Sequence, residues 1–182
     1  MPIVQGESLA GVLIQPLPCQ RDGRGSFVEV FKSHWPLAIA AQQWSVVHTG
    51  ANVLRGPHFH VGHDEYFMLI KGTAWVGLRD IRPSSPTRDR SCLIELHDAE
   101  PTAIAFPRSL IHGWYFPEES IHLQAVTECY EDYHPHDNLG CRWDDPDLEI
   151  PWPCTDPILS PRAAAFPPLS VLIDRVFATA AR

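Results

Sequence analysis

The apolar positions of this chain fall in short runs rich in β-branched and aromatic residues, at 11–14, 27–31, 44–49, 66–70, 73–78, 92–96, 102–106 and 121–127, with turn-forming residues between them. Short strands repeated in this way predict an all-β domain, a double-sheet jelly roll or a barrel whose interior holds a small-molecule site. After Trp143-Asp144-Asp145-Pro146 the chain turns proline-rich and loses its period. Leu169, Leu172, Ile173, Val176 and Phe177 then recur at helical spacing, which predicts a short amphipathic C-terminal helix capping the barrel.

The 182 residues suffice for one well-buried core, so 1–182 reads as a single domain, with the barrel core at about 40–130 and a C-terminal extension over 144–182. A net charge of −8 argues against nucleic acid or an anionic membrane surface as a general partner. Any phosphate-bearing ligand must then be met by local arginines. No apolar run reaches the roughly eighteen residues of a membrane span, and Met-Pro-Ile-Val-Gln-Gly-Glu does not open like a signal peptide, so a cytoplasmic protein is expected. Five cysteines, odd in number and without C-x-x-C spacing, read as reduced thiols.

The chemistry concentrates in residues 55–72. Side chains two apart on a strand share a face, so His58 and His60 point the same way. Glu65 opens the next apolar run and Gly72 closes it. Some forty residues on, the run that begins at Phe106 ends in His112. His58, His60, Glu65 and His112 form a mixed nitrogen and oxygen set suited to a divalent transition metal (Fe, Mn, Ni, Co or Zn) and poorly suited to Ca or Mg. The alternative is a pair of hydrogen-bonded barrel histidines beside a hairpin carboxylate. His63, in the loop between these ligands, reads as a rim residue.

His58-x-His60-x4-Glu65-x6-Gly72 with Pro107-x4-His112 resembles the two metal motifs of the cupin superfamily, although Ser109 stands where glycine is usual and Phe116 where asparagine is frequent. Longer matches run in order along the chain. They are Asp22-Gly23-Arg24-Gly25-Ser26-Phe27-Val28-Glu29, Val53-Leu54-Arg55-Gly56-Pro57-His58-Phe59, Asp80-Ile81-Arg82 with Ser85-Pro86-Thr87, His112-Gly113-Trp114, Tyr133-x-Pro135, Trp143-Asp144-Asp145-Pro146, Ile150-Pro151-Trp152-Pro153 and Leu159-Ser160. Nearly the full length therefore resembles the dTDP-4-dehydrorhamnose 3,5-epimerase family.

The resemblance implies a cupin jelly roll and a metal-free, usually homodimeric enzyme acting on a 4-keto-6-deoxyhexose attached to dTDP. In that family a histidine of the R-G-x-H motif removes a proton beside the ketone, a lysine stabilises the enolate oxygen, a tyrosine returns a proton, and an aspartate near the end supports the histidine. His58 matches the base. Glu65 stands at the lysine position, Thr127 at the tyrosine position, and the closing L-S-x-K-D pattern reads Leu159-Ser160-Pro161-Arg162-Ala163. His60 replaces a usual glutamine. Arg24, Glu29, Gln43 and Arg55 match positions that hold the diphosphate and base, although Ser45 and Val47 depart from the pattern. Trp114, where phenylalanine is usual, either walls the pocket or fills core. Arg24 and Arg55 also read as ion-pair partners of Glu29 or Asp22.

Glutamate in place of lysine would repel an enolate unless another positive charge were present, and a divalent ion supplies one. The substitutions thus point to a metal-assisted nucleotide-sugar epimerase or isomerase. In it His58 becomes a ligand, and Tyr130, Tyr133 or His63 takes over proton transfer. An Fe(II)-dependent cupin oxygenase and a non-catalytic sugar-binding cupin are the alternatives.

Overall fold

The computed structural model of the chain describes residues 3–133 and 137–177; Pro135 and residues 178–182 lie outside them. Its strands are β1 (Ile3–Gly6), β2 (Leu13–Pro16), β3 (Cys19–Asp22), β4 (Gly25–Val28), β5 (Gln43–Thr49), β6 (Val53–Phe59), β7 (Glu65–Lys71), β8 (Thr73–Asp80), β9 (Ser91–His97), β10 (Thr102–Phe106), β11 (Leu110–Phe116), β12 (Ser120–Val126) and β13 (Leu139–Gly140). Two helices follow, α1 (Pro161–Ala164) and α2 (Leu169–Phe177). One sheet runs β1-β9-β8-β11-β6-β13 and faces a second, β2-β10-β7-β12-β5, while β3 and β4 form a separate hairpin. This is the cupin jelly roll. β1 and β2 sit at sheet edges, so the two sheets draw on residues well before 40. Among the described residues no helix is long and apolar enough to cross a membrane.

Alternation along the strands explains why the apolar runs look continuous. Phe67 and Leu69 of β7 point between the sheets, where they meet Val76, Ile94 and Phe116. Tyr66 and Met68 point the other way, beneath Leu17, Leu37, Phe31 and Trp35 of the segment before β5. Both faces of β7 are covered, so every side chain from Glu65 to Leu69 is buried. The outer face of the first sheet is covered by the C-terminal extension. There Phe59, Leu93 and Ile111 pack against Leu148, Ile150, Leu169 and Leu172, so α2 is the cap its spacing predicts.

The local pattern does not mark β1, β3, β6, β11 or β13, and β6 is further obscured because Arg55-Gly56-Pro57 interrupts it. It exists through its pairing with β11, whose register shifts between His112 and Trp114. Gly56 has φ +99°, and a Cβ there would lie 2.9 Å from the His112 carbonyl oxygen, so only glycine lets the two strands approach. Other matched motifs are braces. Buried Asp80 accepts from Arg82, Ser85 and Thr87. Asp145 accepts from the backbone N–H groups of Asp147 and Leu169, tying the extension to α2.

His122 is fully buried between the rings of Phe67 and Phe116, at centroid distances of 4.9 and 5.1 Å. Burial pushes its pKa down to about 4, against an opposing hydrogen bond to Gln124. Above pH 6.5 both folded and unfolded states hold it neutral. As pH falls from 6.5 toward 4 the unfolded chain takes up a proton that the folded one refuses, so stability falls, by about 2–3 kcal/mol at pH 4.5. Urea unfolding at pH 7 and 4.5 should therefore show a smaller acid loss in His122→Leu than in the unsubstituted protein. Equal losses would mean that the folded protein carries His122 charged.

Candidate active site

A cavity of about 880 Å³ opens between the sheets. β5 contributes Ser45 and Val47, β6 Arg55 and His58, β7 its first residue Glu65, β11 His112 and Trp114, and β12 Gln124. Tyr130 and Tyr133 line it from the segment after β12, and Arg162 enters from α1. His60 and His63 complete the polar floor. The register of β6 and β11 sets His58 directly opposite His112, and the loop after β6 brings His60 and His63 round to Glu65.

Glu65 is 4% exposed and stands at the centre. Its Oε1 lies 2.8 Å from His112 Nε2, 3.7 Å from His63 Nε2 and 3.8 Å from His60 Nε2. Burial alone would raise the carboxyl pKa, but the imidazoles of His112, His63 and His60 hold it well below the usual range, so it is ionised. The backbone orients two of the rings. His60 Nδ1 lies 2.7 Å from the Asp137 carbonyl and His112 Nδ1 lies 3.1 Å from the Leu110 carbonyl. A carbonyl only accepts, so both Nδ1 atoms donate and both Nε2 atoms turn toward Glu65. Burial then lowers His60 to about pKa 4, which leaves its Nε2 a bare lone pair at neutral pH.

The expected four-residue ligand set divides into overlapping groups. His58, His60 and His112 present nitrogens within 4.8 Å of one another, and His60, His63 and Glu65 form a second such group. His58 faces a different partner, Arg162, whose Nη2 is 3.1 Å from His58 Nε2. A guanidinium only donates, so His58 Nε2 accepts. Burial, with the neighbouring His112 and His60 and then Arg162, holds His58 well below its ordinary pKa and keeps it neutral. His63 is not a rim residue: it is 1% exposed, stacked on Tyr133 at 4.4 Å, with Nε2 3.2 Å from the Tyr133 hydroxyl. Burial, then Glu65 and other carboxylates, raises the Tyr133 pKa, so that hydroxyl keeps its proton. Tyr130 is 65% exposed, at the mouth.

The remaining expected residues are spread more widely. Arg55 lines the cavity and is steadied by the Thr49 hydroxyl at 3.0 Å. Trp114 both walls the cavity and belongs to the inter-sheet core, stacked on Phe67 at 4.8 Å. Gln43 sits behind the wall, its side-chain oxygen accepting from the Tyr130 N–H at 2.9 Å. Arg24 and Glu29 do not line this cavity. Arg24 is at the tip of the β3–β4 hairpin, paired with Asp22 at 2.6 Å, and Glu29 pairs with Lys32 at 2.5 Å. Thr127, at the tyrosine position by resemblance, accepts from the Asp64 N–H instead. The sequence marks Arg162 only through the closing motif Leu159-Ser160-Pro161-Arg162 and assigns it no role.

A double-sheet jelly roll enclosing a small-molecule cavity floored by imidazoles and a buried carboxylate, with a guanidinium and a phenol on its walls, defines a cupin-type enzyme. The family model for dTDP-4-dehydrorhamnose 3,5-epimerase matches residues 7–170, and the chain belongs to that family of nucleotide-sugar epimerases. A relative of that name from Escherichia coli (strain K12) is 29% identical over 152 residues, covering 78% of this chain and 80% of its own. One from Neisseria gonorrhoeae is 28% identical over 79% of this chain, which spans only 45% of that relative's length. The solved structure of the Mycobacterium tuberculosis rmlC epimerase superposes with a TM-score of 0.83 at 25% identity, over 97% of this chain and 92% of its own.

Removing the His112 imidazole would leave Glu65 a buried carboxylate without its nearest partner. In chelator-treated protein, His112→Ala should cost about 3–5 kcal/mol by urea unfolding. Adding Glu65→Gln to His112→Ala should recover part of that loss. No recovery would mean that the lost packing, and not the stranded charge, sets the cost.

Proposed function

We propose that the chain epimerises a 4-keto-6-deoxyhexose joined to a nucleoside diphosphate, with His58 as the base. The observation that carries this is the neutral His58 imidazole lining the cavity, whose Nε2 accepts from the Arg162 guanidinium until substrate displaces that contact. A neutral imidazole in that setting can take the proton from the carbon beside the ketone. Tyr133, protonated and on another wall of the cavity, is the group to return a proton, and Arg55 is placed to meet a phosphate oxygen.

The donor set also fits a divalent transition metal. Two imidazoles with Nδ1 anchored to carbonyls and Nε2 turned on one carboxylate are the makings of a two-histidine, one-carboxylate site, here His60, His112 and Glu65. An ion there would supply the positive charge that an enolate oxygen needs and that Glu65 cannot give. His58 is then free of the metal and keeps its role as base. The same triad is used by Fe(II) oxygenases, which gives the second reading its one supporting observation. We further infer a cytoplasmic homodimer. Five free cysteines suit a reducing compartment, and Phe27, Trp44 and Val46 stand 62%, 40% and 58% exposed as apolar surface that a second copy would cover.

With a dTDP-linked 4-keto-6-deoxyhexose in deuterium oxide, the protein should wash deuterium into the carbon beside the ketone, and His58→Asn should slow this by about a hundredfold or more. Substrate-dependent oxygen uptake without deuterium exchange would favour the oxygenase. Elemental analysis of protein purified without an affinity tag should find Fe, Mn, Ni, Co or Zn, with one equivalent lost in His60→Ala/His112→Ala. Full deuterium exchange by metal-free protein would sink the metal and leave His58 in place.

A further inference from the structure

Behind the cavity floor, on the far side of the His63 ring from Glu65, lies a second convergence of donors. His63 Nδ1 is 3.7 Å from Glu128 Oε2 and 3.7 Å from Asp137 Oδ2, and the three atoms lie within 4.8 Å of one another. The carboxylate of Asp137 is set by backbone: the Val61 N–H donates to Oδ1, and the Gly62 N–H donates to Oδ2 at 3.0 Å. Gly62 is required there, since a Cβ would come within 2.7 Å of both the Asp137 and the Glu128 carboxylate oxygens.

Among the described residues two of these atoms, His63 Nδ1 and Glu128 Oε2, are buried without a hydrogen-bond partner, and His63 is 1% exposed. An imidazolium bridging two carboxylates would draw them to about 2.8 Å. At 3.7 Å no such bond is made. An ion with bonds of about 2.0–2.2 Å holds neighbouring ligand atoms roughly 3–3.6 Å apart, close to the spacing seen. Among the described residues no lysine or arginine pairs with Glu128 or Asp137, so two carboxylates face each other without a cation.

We propose that His63, Glu128 and Asp137 form a site for a first-row divalent cation of the Zn or Co class, separate from the His60–Glu65–His112 set. One nitrogen and two carboxylate oxygens suit such an ion better than Ca or Mg. The site ties the loop after β6 to the segment after β12, and Glu128, about one-third exposed, gives the ion a way in. It also fixes the tautomer of His63. A cation on Nδ1 leaves the proton on Nε2, which then donates to the Tyr133 oxygen at 3.2 Å and frees the Tyr133 proton to point into the cavity. This last consequence rests on Tyr133 being the proton donor proposed above; the site itself does not.

The test is a Co²⁺ titration of chelator-stripped, full-length protein, followed by visible absorption and by elemental analysis after dialysis. Glu128→Gln is the variant of choice, because Glu128 Oε2 makes no hydrogen bond that the fold would miss. It should bind one equivalent fewer than the unsubstituted protein, or bind that equivalent at least about tenfold more weakly. His60→Ala/His112→Ala should keep one equivalent and lose it when Glu128→Gln is added. Equal Co²⁺ uptake with and without Glu128→Gln would overturn the site. One equivalent in the unsubstituted protein and none in Glu128→Gln would uphold it and count instead against the His60–Glu65–His112 set.

Discussion

A carboxylate held in its charged form inside a barrel is the constraint on which this site depends. Removing an ion such as Glu65 from water costs several kcal/mol, and the loss stands unless charge and hydrogen bonds return it. Here three imidazoles crowd the same oxygen, and the backbone carbonyls of Asp137 and Leu110 decide which nitrogens two of them present. The floor is therefore a coupled unit. None of its members is set by its own strand alone.

That unit needs rigid supports, and the matched motifs supply them. Gly56 allows β6 to close on β11 so that His58 and His112 meet across the ladder. Trp152 lies over Gly77, where a Cβ would come within 2.5 Å of its ring, and so clamps the C-terminal extension to the outer face of the sheet. Asp80 and Asp145 tie loops through side-chain and backbone donors. Apart from Gly56, these residues do not line the cavity. The departures from the family pattern at His60, Glu65 and Arg162 line the cavity itself. Where the sequence resemblance would put a lysine, the cavity floor holds Glu65 among histidines.

Arg162 illustrates how charge can be restored from a distance. Ser160 caps α1 by accepting from the Ala163 N–H, which turns the guanidinium of Arg162 back over Phe166 and onto His58. Ala163, where the resemblance would put an aspartate, is buried. His58 thus keeps an acceptor nitrogen in the cavity but is held by a cation in place of an anion, which favours its neutral form.

Period-two alternation, turn residues and the amphipathic spacing of 169–177 determined most of the strands, though not β1, β3, β6, β11 or β13, together with the all-β class and the capping helix, because those patterns are local and each residue reports its own burial. The spacing of His58, His60 and Glu65 likewise marked one hairpin as the chemical centre. Only the tertiary structure made β6 a strand across its glycine and proline, put Arg162 beside a histidine 104 positions away, and took His63 from the expected rim to the interior against Tyr133, 70 positions on. It also left Arg24 at a hairpin tip and Glu29 just after that hairpin, both outside the cavity, and set Glu128 and Asp137 behind its floor. Contacts of that kind depend on which strands pair and in what register. That is decided by burial summed over both sheets, and no short stretch of sequence contains it.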